Sequence, residues 1–408
     1  MQGASLSIYR CLHLALKHNA ENKTIILRKY AELNSYICRK AIIMAKYIYQ
    51  SEQWPHFTWE QNSIQIILGE VRHFQGKIAG QMNALGFSLR EETSLDMLTT
   101  DVIKSSEIEG EILNYDQVRS SIARRLGIEL AGLVPASRYI DGVVEMMLDA
   151  TQNYKSPLTE ERLFGWHAAL FPTGRSGMYK IEVGRYRTGE MQVVSGPMGK
   201  EKVHFQAPSP EYVPKEMEQF LAWFNEDADI DLVLKAAIAH FWFIIIHPFD
   251  DGNGRIARAI SDMILTRSDD NPLRFYSMSN QILAERKRYY EVLQKIQHSD
   301  GDITEWLDWF LQCLLRALLA TDEVLKKVLR KTEFWERHKN TPINHRQRLL
   351  LNKLLDGFDG KLTSSKWAKI AKCSPDTALR DIQDLIAKGI LQKEAAGGRS
   401  TNYEMVVN

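Results

Sequence analysis

Cysteine is scarce in this chain of 408 residues, and the few cysteines are scattered. Cys11, Cys38, Cys313 and Cys373 lie far apart and form no C-x-x-C pair. A disulfide framework or a structural zinc site needs a set of suitably spaced thiols, so this distribution disfavours both. A protein of the reducing cytoplasm fits the cysteine content best.

The sequence also lacks long apolar runs and a large net charge. The most apolar stretches, residues 41–49 and 238–246, are far shorter than the roughly 20 residues that cross a bilayer. The one candidate signal segment is interrupted by Arg10, His13 and Lys17. The 52 basic residues balance 51 acidic ones, so a net charge of +1 gives no global attraction to nucleic acid or membrane. We expect no membrane partner, and any nucleic acid would have to bind a local patch.

Residues 247–258, with the sequence H-P-F-D-D-G-N-G-R-I-A-R, are the most informative stretch. An apolar run over 236–246 precedes them, and Ile256, Ile260 and Ile264 then recur every four residues, as in an amphipathic helix. A buried segment is therefore predicted to deliver a polar loop that opens a helix. Glycines let such a loop approach a ligand closely, and the unpaired first amides of a helix attract anions.

The side chains of this loop carry complementary chemistry. His247 can take a proton near neutral pH, and Asp251 can hold a hard cation. Arg255 and Arg258 lie one turn apart on the predicted helix. A G-x-G or a His-Pro turn alone is more often structural, because such short motifs are common. All these groups within twelve residues predict chemistry on a nucleotide phosphate.

Eight positions of this stretch match, in register, the signature H-x-F-x-[D/E]-G-N-G-R-x-x-R, so the chain resembles the Fic family. The resemblance implies a helical domain that transfers the AMP part of ATP to a hydroxyl group of a target protein. It makes His247 the general base and Asp251 the Mg²⁺ ligand, with Phe249 anchoring the loop. Loop amides and the Asn253 side chain are expected to stabilise developing charge, while two arginines hold the phosphates. The expected nucleotide contacts from this stretch are Asp251, Gly252, Asn253, Gly254, Arg255 and Arg258.

Ser105, Glu109 and Gly110 match the inhibitory pattern [S/T]-x-x-x-E-[G/N] that some Fic proteins carry upstream of the loop. Taken alone, the charged helix predicted over 101–113 is more often a solvated face. The resemblance implies that Glu109 docks against Arg258 and occupies the guanidinium that would hold the terminal phosphate of ATP. Ser105 is expected to hold the motif helix in place, and Gly110 to let that helix approach the nucleotide closely.

Residues 184–206 contain short alternating runs, 191–194 and 203–205, separated by glycine and proline. We interpret them as a hairpin. In Fic proteins a hairpin at this position is the flap that pairs with an extended segment of the target. Val203 and His204, with Phe205, are the expected edge facing nucleotide and target, in a register that the sequence leaves open.

Tyr289 and Tyr290 are adjacent on a helix predicted over residues 280–296. Neighbouring helical side chains point about 100° apart, so at most one would normally be fully buried. A structural interpretation places one ring in the core and one at the surface, whereas the family resemblance places the pair against the nucleotide. A long helix from 304 to about 331 follows, with core residues Trp306, Trp309, Phe310 and Leu314.

Residues 112–175 are predicted to form helices broken at Pro135, Pro157 and Pro172. His167 lies among apolar residues there, so a hydrogen-bonded structural role is expected for it. The expected core face of its helix is formed by Leu163, Trp166, His167 and Leu170.

Residues from about 345 onward predict a separate unit of three helices and a hairpin around a Gly-Gly turn, which resembles a winged helix. Ser374 can cap the third helix, with Pro375 as its first residue. Asp376, Asp381 and Asp384 weaken the basic face that DNA affinity requires, so DNA binding and a structural or dimerising role both stay open. The residues that would meet phosphates are Thr377, Arg380, Lys393 and Arg399.

These patterns predict a mainly α fold, with a helical Fic-type core, a β-hairpin flap and a small C-terminal winged-helix domain. Residues 1–43 are expected to be a leader or a mis-annotated start before Met44, with a genuine extra helix pair as the alternative. The expected domains are an N-terminal helical domain with the inhibitory helix at 44–130, a catalytic domain at 131–335 and the winged-helix-like unit at 340–408.

The predicted function is that of a protein adenylyltransferase inhibited by Glu109. Its expected partners are ATP with Mg²⁺, and a target protein bound through residues 184–206. Two alternatives are a DNA-binding regulator with a nucleotide-sensing domain and a transferase of another phosphate-containing group. The sequence names neither the target nor the oligomeric state, and leaves a homodimer and DNA binding through 345–408 open.

Overall fold

The computed structural model describes residues 47–84, 87–129, 132–195, 202–227, 229–358, 360–394 and 401–406. The predictions for residues 1–43, Met44, the Gly-Gly turn and Arg399 lie outside these ranges. Within them, no helix combines the length and apolar character that crossing a bilayer requires.

Helices separated by proline-containing connections form the first half of the described chain. Pro135 lies between α3 and α4, Pro157 between α4 and α5, and Pro172 beyond α5, as predicted. A proline lacks the amide hydrogen that a helix interior needs, so it falls between helices. The helices are α1 (Gln61–Asn83), α2 (Phe87–Ile108), α3 (Tyr115–Leu126), α4 (Arg138–Gln152) and α5 (Glu160–Leu170).

The end of α2 corrects the predicted acidic helix over residues 101–113. The helix stops at Ile108, so Glu109 and Gly110 lie just beyond its C-terminus. Gly110 has a φ of 88°, a left-handed conformation that glycine adopts without steric cost. No protein atom lies within 4 Å of the position that a Cβ at Gly110 would take. The left-handed backbone conformation is therefore one reason for glycine at this position, and the close approach of Gly110 to a nucleotide stays a prediction.

The second half of the main body is also helical, and it corrects two predicted bounds. The helix predicted over 280–296 is divided at Glu285, whose carboxylate accepts hydrogen bonds from Arg316 Nε at 2.6 Å and Nη2 at 2.5 Å. The long final helix continues to Arg337 instead of ending near 331. The helices are α6 (Val213–Asn225), α7 (Leu232–Ile246), α8 (Asn253–Asp269), α9 (Met278–Ala284), α10 (Arg286–Ile296) and α11 (Thr304–Arg337).

A two-stranded antiparallel hairpin forms where the alternating pattern predicted it, from β3 (Gln192–Ser195) and β4 (Lys202–Gln206). Val193 pairs with Phe205 and Val194 with Val203, so the register shifts by one residue between the two valines. A smaller hairpin, β1 (Arg175–Ser176) with β2 (Tyr179–Lys180), was not predicted from the sequence.

One hydrophobic cluster runs from Ile48 to Leu325, so the N-terminal helices share a core with the helices that follow. Helix α7 is buried on every side, and α8 packs against it. Residues 255–266 of α8 are all buried, so the buried surface of this helix is wider than the single apolar face that was predicted. The loop between α7 and α8 is therefore flanked on both sides by buried helices, which fix its two ends.

The C-terminal unit has its own hydrophobic cluster, from Leu350 to Tyr403. Ser374 caps α14, since its side chain accepts a hydrogen bond from the Thr377 amide at 3.2 Å. Asp381 is buried and paired with Arg346, so it does not weaken the exposed face of this helix as predicted. The order of elements is the predicted one, and the winged-helix resemblance stays a prediction. The elements are α12 (His345–Leu355), α13 (Ser364–Ala371), α14 (Pro375–Ala387), β5 (Leu391–Lys393) and β6 (Tyr403–Met405).

Candidate active site

His247 lies at the C-terminus of α7, in a backbone conformation that most residues avoid. Its φ of 51° and ψ of 58° are left-handed, and Pro248 follows it directly. A non-glycine residue held in this region costs roughly 1–3 kcal/mol, and a following proline adds its own steric restriction. The backbone amide of His247 donates to Phe243 O at 3.0 Å. The surrounding structure must hold the residue in place, as is common at functional sites.

Arg187 supplies part of that support, and sequence reasoning missed it. The side chain is buried, and its Nε donates to His247 O at 2.8 Å. Its backbone amide donates to Pro248 O at 2.9 Å. The only sequence signal was a position just before the predicted hairpin, which does not reveal what an arginine binds.

The imidazole of His247 is prepared to accept a proton. Nδ1 lies 3.2 Å from Ile244 O, and a carbonyl oxygen can only accept. Nδ1 therefore carries the hydrogen, and Nε2 keeps its lone pair. Burial, as the main cause, lowers the pKa of His247 to about 4, so the ring is neutral near pH 7.

Two side chains brace the loop from inside the domain. Phe249 is fully buried and stacks on His167 with ring centroids 4.3 Å apart, which confirms it as the anchor of the loop. His167 accepts from the Gly184 amide at 3.1 Å through Nδ1, and its Nε2 then donates to Asp251 O at 3.2 Å. Burial lowers the pKa of His167 to about 4, which keeps the ring neutral. The predicted structural role of His167 is confirmed.

The side chain of Asn253 forms hydrogen bonds within the loop, whereas the sequence predicted that it contacts the charge developing in the reaction. Its Oδ1 accepts from the Phe249 amide at 3.0 Å, and its Nδ2 donates to Phe249 O at 2.7 Å. The residue is 2% exposed. Both ends of the side-chain amide therefore close the loop upon itself, and this geometry gives Asn253 a positioning role.

Asp251 presents a carboxylate at the surface of the loop, and its side chain is 42% exposed. Oδ1 accepts from the Gly252 amide at 2.6 Å, while Oδ2 is hydrogen-bonded to the Ser176 hydroxyl. The described residues contain no cluster of three or more His, Cys, Asp or Glu side chains suited to a metal. Mg²⁺ is commonly bound by one or two carboxylates, with substrate phosphates and water completing its shell. A single, accessible carboxylate fits that mode of binding.

Arg255 lies behind Asp251 on the first turn of α8. One guanidinium nitrogen, Nη1, donates to the Tyr139 hydroxyl at 2.7 Å, and Nη2 lies 3.9 Å from Asp251 Oδ1. The guanidinium also lies over the Phe171 ring, 5.1 Å from its centroid. Its Nε is buried without a partner among the described residues. Arg255 is therefore held in place while part of its donor capacity remains available.

Arg258, one turn further along α8, is bound by residues of the predicted inhibitory motif. Its Nη2 lies 2.8 Å from the Glu109 carboxylate and 2.8 Å from Ser105 O, and its Nε donates to Ser105 Oγ at 2.8 Å. Ser105 thus binds the arginine directly, in addition to lying within α2. Arg258 is 2% exposed, and its Nη1 has no partner among the described residues.

Glycines let the loop approach its neighbours. Gly252 has a φ of 83°, and a Cβ there would lie 2.9 Å from the Phe171 ring. A Cβ on Gly254 would lie only 2.1 Å from Glu109 Oε1, closer than real contacts allow. The second glycine of the loop is therefore needed for the Glu109 carboxylate to reach Arg258.

Tyr289 and Tyr290 divide between core and surface. Tyr289 is 2% exposed and Tyr290 42%, as the structural interpretation predicted. The Tyr289 hydroxyl lies 2.9 Å from His240 Nε2, and Ser261 Oγ lies 3.0 Å from the other ring nitrogen. Both tyrosine rings lie near enough to Arg258 and Glu109 to interact with their charges. His240 was missed, because one histidine in an apolar run gives no sign of its partners.

The flap hairpin exposes part of the predicted edge. Val203 is 46% exposed and Val194, its neighbour across the hairpin, 47%. His204 is partly buried. Phe205 is buried instead, packed edge-on against Tyr47 and Tyr49, so it does not belong to the accessible edge. In a regular strand Val203 and Phe205 would share a face, so the register shift between Val193 and Val194 accounts for their different exposure.

Comparisons with known proteins identify two regions of the chain. A sequence model of the Fic/DOC family matches residues 157–265, and one described as a domain of unknown function (DUF4172) matches residues 47–128. The protein adenylyltransferase Fic of Nematostella vectensis is 26% identical over 232 residues, which are 54% of this chain and 47% of that protein. The protein adenylyltransferase fic-1 of Caenorhabditis elegans is 38% identical over 95 residues, 23% of this chain and 17% of that protein. The chain thus spans about half the length, or less, of these relatives.

Solved structures with some likeness to the chain include a Fic family protein from Desulfovibrio desulfuricans. It aligns with a TM-score of 0.47 and 22% identity, over 85% of this chain and 96% of that chain. A fragment of Fic-1 from C. elegans aligns with a TM-score of 0.45 and 23% identity, over 65% of this chain and 74% of that chain.

Proposed function

We propose that this chain, in which residues 157–265 match a sequence model of the Fic/DOC family, is a protein adenylyltransferase. In the proposed reaction, the hydroxyl oxygen of a target side chain attacks the α-phosphorus of ATP. The new oxygen–phosphorus bond forms as the bond to the bridging oxygen of the β-phosphate breaks, and pyrophosphate leaves. Nε2 of His247 takes the hydroxyl proton.

The hydrogen bonding of Arg258 supports the proposal most strongly. Arg258 is buried at the N-terminal end of α8, gives three contacts to Ser105 and Glu109, and leaves Nη1 unpaired within the described structure. An arginine with a spare donor nitrogen near a helix N-terminus suits a polyphosphate chain. A purely structural arginine would be expected to have its donors paired.

We propose that Glu109 keeps this arginine from the nucleotide. The Glu109 carboxylate occupies one donor of Arg258 at 2.8 Å and fills the space above Gly254. A terminal phosphate and a carboxylate cannot share that position, because both are anions and both need the same donors. ATP would then bind without the alignment that in-line attack requires. The resting chain would accordingly have low activity.

Asp251 would hold Mg²⁺ together with the phosphates. The bound ion supplies charge stabilisation for the leaving pyrophosphate. Arg255 supports the same region from the first turn of α8 and is restrained by Tyr139. The Gly254 amide would complete the anion-binding end of the helix, while the Gly252 amide donates to Asp251 Oδ1 and orients that carboxylate. Asn253 contributes through the loop, by its paired bonds to Phe249.

The target would bind along the flap, residues 184–206. The exposed Val194 and Val203 offer an apolar surface, and an extended segment can add to a strand edge through backbone hydrogen bonds. A target held there presents one side chain toward the loop. Tyr289 and Tyr290 lie on the Arg258 side of the site, where the nucleotide is proposed to bind.

Removal of the His247 imidazole tests the chemistry. The His247→Ala variant should bind ATP with a dissociation constant within about threefold of the parent by calorimetry, because the phosphate contacts come from other groups. Its AMP transfer should fall by two orders of magnitude or more, in line with the loss of a general base. Transfer that survives the substitution would reject His247 as the base, and loss of ATP binding would reject the division of roles.

DNA binding by residues 345–408 is a second candidate, favoured by the charge of this unit. Lys369 on α13, Lys372 just after α13, Arg380 on α14 and Lys393 on β5 are exposed. Phosphate contacts by such residues would make affinity fall steeply with salt. A shift assay with duplex DNA at 50 and 200 mM salt, comparing the parent with Lys369→Glu/Arg380→Glu, tests this. If the two proteins shift DNA equally and the shift does not change with salt, DNA binding through these residues is rejected and a structural or dimerising role remains.

A further inference from the structure

The flap and His247 are joined by one buried side chain, that of Arg187. Besides the bond to His247 O, its Nη1 donates to Gly189 O at 2.8 Å and its Nη2 to Pro208 O at 2.5 Å. Gly189 lies just before β3, and Pro208 lies just after β4. The guanidinium therefore contacts both ends of the hairpin and the backbone of the histidine at once.

The chemistry of Arg187 matches three separate carbonyl groups. Its planar guanidinium directs five N–H donors outward in a fixed geometry, whereas a lysine ammonium is a single point with three. The residue is 2% exposed, and no carboxylate within the described residues forms an ion pair with it. A buried charge is costly unless its donors are used. Here they are used on backbone carbonyls, which links three chain segments.

We infer that Arg187 is a positioning residue that fixes the flap hairpin relative to His247, so that a target held on the hairpin meets the imidazole in one geometry. The inference rests on the proposed function for its catalytic consequence. The backbone amide of Arg187 adds a fourth link, to Pro248 O. The left-handed conformation of His247 is stabilised by the same residue that holds the hairpin.

Further hydrogen bonds at the base of the hairpin, among the described residues, join its two strands and do not reach the loop. The Ala207 amide donates to Met191 O at 3.0 Å, and Gln206 Nε2 donates to Glu190 Oε2 at 3.1 Å. These bonds hold the two strands to each other. Arg187, in contrast, joins them to the segment that carries the histidine.

A comparison of two neighbouring arginines tests the inference, with Glu109→Gly as the active parent. Arg185 is a matched control, since its exposed side chain pairs only locally with Glu182, at 2.6 Å. In the parent background, Arg187→Gln should lower kcat/KM for transfer at least tenfold while the dissociation constant for ATP stays within twofold. Arg185→Gln should leave both values unchanged. Arg187→Lys keeps the charge but loses the planar guanidinium with its fixed donors. If Arg187→Gln does not fold, Arg187→Lys takes its place and should lower kcat/KM by an intermediate amount.

Hydrogen exchange gives a readout that does not depend on activity. In Arg187→Gln, the paired amides of β3 and β4 should exchange at least tenfold faster, whereas those of α8 should not change. Unchanged exchange in the hairpin, or transfer within twofold of the parent, would overturn the inference. A parallel loss of ATP affinity and of protection in α8 would also overturn it, because it would indicate general loosening. If the Glu109→Gly parent shows no transfer, the proposed function fails, and the exchange comparison still tests the link.

Discussion

Glu109 and Gly254 fit together so closely that a Cβ added to Gly254 would lie 2.1 Å from a carboxylate oxygen of Glu109. Gly254 lies in the first turn of α8, the end of the helix where the phosphates are proposed to bind. The carboxylate and a phosphate would therefore compete for the space above the same glycine, as well as for Arg258. The competition is steric and electrostatic at once, which favours a sharp difference between the inhibited and the active state.

Ser105 should contribute to inhibition separately from Glu109. Replacing it with alanine removes the acceptor of Arg258 Nε, while the bond to the Ser105 carbonyl remains. A hydrogen bond to a charged group is worth about 1.5–3 kcal/mol. At about 1.4 kcal/mol per factor of ten, Ser105→Ala should therefore raise basal transfer by at least about tenfold in an assay with labelled ATP, but by less than Glu109→Gly does.

Ser106 provides the matched control for that substitution. It is buried like Ser105, but its Oγ has no hydrogen-bond partner among the described residues. Ser106→Ala should leave basal transfer unchanged and stability equal or slightly higher. Equal activation by the two substitutions would indicate that loosening of α2, and not release of Arg258, causes the effect.

Tyr289 should matter more for stability than Tyr290. Ser261 Oγ lies 3.0 Å from Ala257 O and donates to it, so His240 Nδ1 donates to Ser261 and its Nε2 accepts from the Tyr289 hydroxyl. Tyr289→Phe leaves that buried ring nitrogen unsatisfied, at a cost of about 1–3 kcal/mol. Urea unfolding should show this loss. Tyr290→Phe, at an exposed position, should change stability by less than about 0.5 kcal/mol.

The acid limb of the pH–rate profile should lie unusually low for a histidine base. The pKa of His247 is lowered to about 4, chiefly by burial and partly by Arg187, although the Ile244 carbonyl, Glu109 and Asp251 act in the opposite direction. The base is active when neutral, so kcat/KM of Glu109→Gly should stay level through pH 6.5 and fall only as the pH approaches 4. An acid limb near 6.5, the ordinary histidine value, would contradict the lowered pKa of this partly buried ring.

Acid should also destabilise the fold through its buried histidines. The pKa values of His167 and His247 are lowered to about 4, and that of His240 to about 3, in each case chiefly by burial. Between pH 6.5 and 4 the unfolded chain binds protons at these positions while the folded chain does not, so stability falls as pH falls. Thermal melts should show Tm decreasing across this window. A Tm that is constant from pH 6.5 to 4.5 would argue against neutral, buried rings.

Sequence reasoning reached the loop, the hairpin and the division of the tyrosines, because each leaves a local pattern. His247, Asp251 and Arg258 stand in a contiguous signature, and strand alternation marks the hairpin. The roles of Arg187 and His240 could not be predicted from the sequence, for a physical reason. Their partners are backbone carbonyls and hydroxyls brought near by folding, and a carbonyl group is present at every position of a sequence.

Local errors have similar causes. Glu285, at the break between α9 and α10, binds Arg316, which lies 31 residues away along the chain, so helical periodicity alone could not indicate that contact. Phe205 was assigned to the exposed edge because its burial depends on Tyr47 and Tyr49, from a distant segment. Asn253 carries a polar side chain in a signature loop, yet its bonds to Phe249 can be recognised only once the loop is closed.

The most direct test of the account is AMP transfer by the chain freed of Glu109. Purified parent, Glu109→Gly and Glu109→Gly/His247→Ala would each be incubated with labelled ATP, Mg²⁺ and a cell lysate. Glu111→Ala, at an exposed position two residues further on, serves as control. The account predicts at least tenfold more protein-bound label with Glu109→Gly than with the parent or the control, and none above background with the double variant. Label equal to that of the parent in Glu109→Gly, or label that persists without His247, would contradict it.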